Sequence, residues 1–499
     1  MLALGFDLGS SFVKASLIDS ETGRCLASAS SPDEEMAIHA PRPGWAEQDP
    51  GTWWETIVDV TSRLAARSPV PVADAAAIGI AYQMHGLVLL DGAGVPLRPS
   101  IIWCDSRATE IGRKACTDLG EQACLADLLN SPGNFTASKL RWVSLEEPDL
   151  YARARYAMLP GDYVALRMTG EPTTTLSGLS EGVFWDFRRH AVASRLLHYY
   201  KLREDLLPPL VPTFGEQGRL TERAARELRL TPGTPLTYRA GDQPNNAFSL
   251  NVLAPGEIGA TAGTSGVVYA VSASLASDRE SRVNGFAHVN HTGTDPRIGI
   301  LLCINGTGIA NSWTRKIAGE AGLTYAEMDR RVADVPVGSK GLVVLPFGNG
   351  AERMLGNRDP GARIYGLRFT SHGEDELFRA VQEGVAFAFV YGMEIMRGMN
   401  IIPTVLRAGA SNMFLSPVFR STLASTAGVS IELFNTDGSA GAARGAAWGA
   451  GAFRSPADAF RGLERVGTIE PEGTVASYTD AYGRWYRHVE AILDNKGGW

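Results

Sequence analysis

Residues 2–19 read LALGFDLGSSFVKASLID, two apolar strand-like runs joined by Asp7-Leu8-Gly9-Ser10-Ser11. Local rules make this a two-strand ribbon with a wet turn, in which Gly9 supplies a positive φ and Ser10 and Ser11 stay polar. The chain repeats the device about half its length later. Residues 256–272, GEIGATAGTSGVVYAVS, run a strand of small and apolar residues into Gly263-Thr264-Ser265 and out along Val267, Tyr269 and Val271. Two hairpins of one design suggest two similar domains.

Composition sets the frame for that idea. The chain has 499 residues, and single cores stop growing at about 250–300 residues, so two or three domains fit. With 44% hydrophobic and 20% charged residues it is an ordinary soluble globular protein. A net charge of −7 argues against a nucleic-acid partner, which calls for clustered Lys and Arg. A small anion remains allowed, because local dipoles suffice to hold one.

The five cysteines (Cys25, Cys104, Cys116, Cys124, Cys303) are scattered and form no CxxC pair, so they read as reduced thiols. No basic segment precedes an apolar stretch at the N-terminus, and Asp7 interrupts the only apolar run there, which argues against a signal peptide. No window approaches the ~18 apolar residues of a membrane span. The expectation is a cytoplasmic protein with no membrane partner.

Strand-like runs (LALGF, VKASLI, AAIGIAY, LVLL) alternate with helical ones such as PGTWWETIVDVTSRLAA, with Trp54, Ile57, Val58 and Thr61 at helical spacing and Pro50 just ahead of the start. KGLVVLPF and TVLRAGA read as buried strands, residues 374–399 as a long buried helix, and SAGAARGAAWGAGAF as a small-residue helix suited to close packing. This is an α/β pattern with both hairpins and crossovers. The domain join is expected near RAGDQPNNAF, giving residues 1–246 and 247–499.

Several familiar devices are absent. Without a Gly-Lys dipeptide there is no GxxxxGK[ST] loop. No GxGxxG follows a strand, HExxH is missing, and the eight histidines lack metal-ligand spacing. A phosphate site must then be built on the hairpin turns, whose backbone N–H groups form a concave nest with short hydroxyls as extra donors. Asp7 at the end of the first strand is suited to hold waters of a hydrated Mg²⁺, an ion that usually takes only one or two carboxylates. Lys14 reads equally as an anion ligand or as a plain solvent-facing strand residue.

Nine stretches carry a resemblance through nearly the whole chain: GFDLGSSFVKASLID, GWAEQDPGTWWE, QMHGLVLLD, IIWCDSRA, NFTASKLRW, MLPGDYVALRMTGE, AGDQPNNA, APGEIGATAGTSGVVYA and GAERMLGNRDPGARIYGL. In this order they resemble the FGGY carbohydrate kinases. The resemblance implies two actin-like, ribonuclease-H-like domains with an interdomain cleft, the first binding sugar and the second most of the ATP. It also implies transfer of the γ-phosphoryl of MgATP to the 5-hydroxyl of D-xylulose. Kinase action on another ketose or polyol, such as L-xylulose or ribulose, and a non-catalytic sugar sensor are the alternatives.

By the same resemblance Asp242 is the catalytic base, against the plain reading of an N-cap for a helix starting near Pro244. Met84 and His85 would meet the sugar hydroxyls, and Trp103 and Asp105 would form a sugar-facing wall, Trp103 being equally readable as core. Ser11, Gly263 and Thr264 would sit at the phosphates, with Asp7 catalytic and reaching the metal through water. Gly308 would let the backbone approach the nucleotide phosphates, and Gly409, Ala410 and Asn412 would line the adenosine pocket. Gln243-Pro244-Asn245-Asn246, Met354-Leu355 and the aromatic stretch LSGLSEGVFWDF depart from the family pattern and bear on which sugar is taken. Oligomeric state is not legible, and a homodimer stays open.

Overall fold

The computed structural model describes residues 1–319, 322–473 and 475–494. Two mixed sheets organise it. In the first, β1 (Leu2–Leu8), β2 (Val13–Asp19) and β3 (Arg24–Ser31) form an antiparallel meander, because short polar turns join neighbouring apolar runs. On the other side of β1, β4 (Ala77–Tyr82) and β5 (Leu236–Gly241) add in parallel, giving the order β5-β4-β1-β2-β3.

The second sheet contains β6 (Glu257–Ala262), β7 (Gly266–Ser272), β8 (Asn284–Ala287), β9 (Ile298–Ile304), β10 (Val405–Gly409), β11 (Ile431–Phe434) and β12 (Arg465–Ile469). Its order is β8-β9-β7-β6-β10-β11-β12. Setting aside the antiparallel edge strands β8 and β12 leaves β9-β7-β6-β10-β11, with the same three antiparallel and two added parallel strands as the first sheet. The repeated hairpin therefore marks a repeated topology.

Helices cover the sheets. In α1 (Pro50–Arg67) Pro50 is the first helical residue, and the Asp49 side chain caps it by accepting from Gly51 N at 2.8 Å. Trp53, Ile57, Val60 and Leu64 of α1 are buried on the side that packs against β2 and β3. The other helices used below are α2 (Thr136–Glu146), α3 (Asp242–Ser249), α4 (Gly308–Ala318), the long buried α5 (Glu374–Gly398) and α6 (Gly438–Gly449). The expected join at 246/247 falls inside α3.

The small-residue helix α6 packs across the first sheet, although its sequence lies far into the second half. A Cβ on Gly5 would stand 2.1 Å from Ala443 N, and one on Gly79 would stand 2.2 Å from Ala442 O. Backbone meets backbone there, which only glycine allows. Edge strand β8 is tied in turn to segments of the first half. Asn130 Nδ2 donates to Gly285 O at 2.7 Å, Gly285 N donates to Asn130 Oδ1 at 3.1 Å, and Ala287 N donates to Ser180 Oγ at 3.0 Å.

Candidate active site

The two hairpins lie at equivalent corners of the two sheets, β1–β2 and β6–β7. Neither Gly9 nor Gly263 takes a positive φ, which corrects the reading of Gly9 as a left-handed turn residue. Gly9 N donates to Phe12 O at 3.0 Å, and a Cβ at Gly9 would lie 3.1 Å from that oxygen, so the absent side chain matters more than the backbone angle. Gln48 Nε2 donates to Ser10 O at 2.7 Å and Met36 N donates to Ser11 O at 2.9 Å. The first turn is thus held on its outer side.

Three carboxylates gather at the carboxyl edge of the first sheet. Asp7 stands opposite Lys14 in the β1–β2 ladder. Burial and the Asp437 charge push its carboxyl up to about 6, with exposed Lys14 acting the other way. Asp242 is the first residue of α3, where Gly241 occupies the cap position, so the alternative of Asp242 as N-cap does not hold. Burial, then the Asp7 charge, push Asp242 up to about 7. Asp437 caps α6 by accepting from Ala440 N at 3.0 Å, and a Cβ on neighbouring Gly438 would meet Asp7 Oδ2 at 2.2 Å.

On one side of this cluster lies the Met84-His85 loop. Met84 is buried, and its Cγ and the Glu181 carboxyl both lie where a Cβ on Gly241 would go. His85 sits at φ 62° and packs its ring edge against Phe135 at 4.8 Å and near Phe286 of β8 at 5.2 Å. Its Nδ1 lies 2.9 Å from Glu181 O. Burial pushes the imidazole down to about 3, so the ring is neutral. A carbonyl only accepts, so Nδ1 carries the proton and Nε2 is left as an acceptor for a hydroxyl.

Trp103 is 54% exposed and donates from Nε1 to Ser10 Oγ at 3.3 Å, which rules out the core reading and sets it beside the first hairpin. Asp105 is 0% exposed. Its oxygens accept from Ala46 N at 2.6 Å, from Arg107 N at 2.9 Å and from the Arg107 guanidinium at 2.7–3.0 Å. A carboxylate has about four lone-pair sites, and these are taken. In place of the hydroxyl acceptor expected from the sequence, Asp105 is the anchor of Arg107, which also pairs with Glu47 at 2.7 Å and lies over the Trp45 ring at 3.8 Å.

On the other side, a cavity of about 450 Å³ is lined by Gly263, Thr264, Gly308, Asn311, Tyr325, Asp329, Asn412, Met413 and Ser416 among others. Asn412 opens a short 3-10 turn at φ 53°, and the helix beyond it begins at Pro417 with Ser416 as its cap. Gly409 and Ala410 stand at the end of β10, Ala410 N donating to Phe434 O at 3.0 Å, and they do not line this cavity. Gly308 lines this cavity and also packs on the second hairpin. Its N–H donates to Gly263 O at 2.8 Å, and a Cβ would stand 2.4 Å from that oxygen, so its bareness lets α4 close on the second hairpin.

Sequence reasoning passed over Glu181, Lys139, Asp437, Phe286 and the cavity residues Tyr325 and Asp329. Of these, Glu181 and Lys139 lie within stretches already quoted above, and burying a charged residue is the signal they carry. Phe286 comes from a distant edge strand. Nothing local marks it.

The fold and this cleft define a two-domain, actin-like (ribonuclease-H-like) protein with a candidate phosphoryl-transfer site between paired hairpins. Residues 2–249 match the FGGY family of carbohydrate kinases, N-terminal domain. The chain is 30% identical over 447 residues to xylulose kinase of Escherichia coli (strain K12), covering 89% of this chain and 88% of that protein. It is 27% identical over 470 residues to xylulose kinase of Bacillus subtilis (strain 168), covering 91% and 89%. A crystal structure described as a xyloylose kinase from Brucella ovis superposes with TM-score 0.86 at 30% identity, covering 99% of each chain. The chain belongs to the FGGY family of carbohydrate kinases.

Proposed function

We propose that the protein transfers the γ-phosphoryl of MgATP to the 5-hydroxyl of D-xylulose. The observation that carries this reading is the place of Asp242. It begins a helix at the carboxyl edge of a sheet, touching the Met84-His85 loop through Gly241, and it carries a carboxyl poised near neutrality. The xylulose kinases from two bacteria and the aligned Brucella ovis structure supply the sugar.

In this reading residues 1–246 hold the sugar and residues 247–499 hold most of the nucleotide. Nε2 of His85 accepts from a sugar hydroxyl, and the exposed indole of Trp103 covers an apolar C–H face. Asp242 orients the attacking hydroxyl and accepts its proton as the loose transition state forms. Thr264 and the second hairpin contact the transferring group, and the cavity bounded by Asn412 and Tyr325 takes the nucleoside.

Asp7, Asp242 and Asp437 place negative charge together with only Lys14 acting against it at Asp7, a donor set that suits a divalent cation. No group of three or more His, Cys, Asp or Glu among the described residues is arranged to ligate a metal directly. Contact through water, with Asp7 nearest, fits Mg²⁺. Bound there, Mg²⁺ would neutralise charge on the β- and γ-phosphates. A cytoplasmic location goes with this reading, supported by five unpaired cysteines; among the described residues no helix is long and apolar enough to cross a membrane.

The test is ADP release with MgATP across D-xylulose, L-xylulose, D-ribulose, L-ribulose, glycerol and a blank without sugar. Preference for D-xylulose supports the reading. Preference for another sugar would overturn the substrate, and turnover on none would overturn the activity.

A further inference from the structure

Lys139 is 0% exposed, and no carboxylate lies within ion-pair distance of it among the described residues. Such lysines are rare, since an ammonium buried away from water needs partners. Its partners are both main-chain carbonyls. Nζ donates to His85 O at 2.8 Å and to Ile102 O at 2.9 Å. These are the carbonyls of the imidazole-bearing residue of one sugar loop and of the residue before Trp103 in the other.

The first turn of α2 and Asn134 just ahead of it make further ties of this kind. Thr136 Oγ1 donates to Gly86 O at 3.3 Å, Ala137 N donates to Gly182 O at 3.0 Å, and Asn134 Nδ2 donates to Asp105 O. Asn134, Thr136, Ala137 and Lys139 thus hold three loops, 85–86, 102–105 and 181–182. The two loops that carry His85 and Trp103 are paired at their bases, Leu87 N donating to Ile101 O at 2.9 Å and Ile101 N to Leu87 O at 3.2 Å, and of these four residues Lys139 alone ties them beyond that pairing, at His85 and Ile102. A neutral amine has two N–H donors, and two carbonyls receive them, so the geometry is complete without a charge. In keeping with that count, burial pushes the amine down to about 7.

We propose that Lys139 is the positioning residue that sets the spacing between His85 and Trp103, and so fixes sugar affinity without touching sugar or nucleotide. The identity of that sugar rests on the D-xylulose reading above; the brace itself does not. Removing the amine leaves two buried carbonyls unpaired, and the loops must move to water or to each other to recover them. Affinity for hydroxyls read by a hydrogen-bonded pocket then falls, because such pockets discriminate by placement.

Two measurements on the full chain test this. In steady-state kinetics Lys139→Met should raise the sugar KM by about tenfold or more, with ATP KM and kcat within about threefold of wild type. Lys139→Gln, which keeps two N–H donors on a shorter arm, should recover part of the loss. Amide hydrogen exchange should show loops 84–86 and 102–105 exchanging faster in Lys139→Met, with the α4 and Asn412 segments unchanged. Unchanged sugar KM, a fall in kcat alone, or loss of ATP binding together with sugar binding would each overturn the brace. Should wild type prefer a sugar other than D-xylulose, the kinetics are run on that sugar. Should it turn over none, the exchange experiment decides: unaltered exchange at both loops overturns the proposal, and faster exchange confined to them supports it.

Discussion

Asp242 starts α3 just past the carboxyl end of β5, and the charge of Asp7, at the end of β1 in the same sheet, adds to burial in pushing its carboxyl up to about 7. A base must be ionised to accept the hydroxyl proton. Sugar phosphorylation at saturating MgATP should therefore rise with pH through about 7 and level above it, read as kcat/KM for the sugar. Asp242→Asn should cost at least about 100-fold in kcat while ATP affinity, measured by calorimetry, stays near wild type. Turnover close to wild type in that variant would remove Asp242 from the role of base.

The same shift makes a stability prediction of definite sign. The folded chain raises Asp242 above its unfolded value and so binds a proton there more tightly than the unfolded chain does. That contribution is complete below about pH 4 and is lost as pH rises to about 7. Asp242→Asn is neutral throughout and escapes the loss. At pH 8 it should melt above wild type by a few degrees, on the order of 1–2 kcal/mol after allowance for solvent at this half-buried group. The gap should close toward pH 4. A variant that melts lower at both pH values would contradict the shift.

Trp103 and Asp105 sit two residues apart and should fail in different ways. Trp103→Ala removes a half-exposed ring, so Tm should move little while the sugar KM rises severalfold. Asp105→Asn strips the anchor from the buried Arg107, which retains Glu47 as a partner. It should lower Tm by several degrees, since breaking one partner of a buried pair costs about 3–5 kcal/mol. Thermal melts and sugar titrations on the two variants separate these outcomes.

How much of this the sequence discloses depends on the range of the interaction. The hairpins at Gly9 and Gly263, helix α1 with its Pro50 start, and Asp242 at a strand-to-helix turn follow from neighbours in the chain. The packing of α6 on Gly5 and Gly79 does not, because it joins residues more than 350 positions apart, and its small-residue composition states closeness without naming the partner. Asp105 was misread for a related reason. Its saturation depends on Ala46 N as well as on adjacent Arg107, and no local pattern shows the first. Gly308 is legible for its missing side chain, whereas its contact with Gly263 O joins two separate segments that no local pattern connects.

Glu181 offers a check on the electrostatics beneath the site. It is 1% exposed, and burial, then the charges of Asp242 and Asp162, hold its carboxyl well above the usual range, with the His85 backbone N–H and the Tyr82 hydroxyl acting the other way. Burial favours the protonated acid, and Glu181→Gln keeps the shape and charge of that form, so the acid limb of the kcat/KM profile should stay where Asp242 puts it. A limb displaced to lower pH would show that wild-type Glu181 is ionised there.

The nucleotide half can be probed at Gly308, where α4 meets the second hairpin. Gly308→Ala puts a methyl 2.4 Å from Gly263 O, a distance that backbone must yield to, and the yielding parts are the hairpin turn and the first turn of α4. Both border the cavity that holds Thr264 and Asn412. ATP KM should rise by about tenfold or more, since misplacement of the order of 1 Å in a positioning element can cost about 100-fold. The sugar side lies on other loops, so sugar affinity should hold. Gly9→Ala supplies the contrast: its methyl meets Phe12 O at a milder 3.1 Å, and its effect on ATP KM should be smaller than that of Gly308→Ala. Equal losses in the two variants, or a Gly308→Ala effect confined to sugar affinity, would mean that the second hairpin does not position the nucleotide.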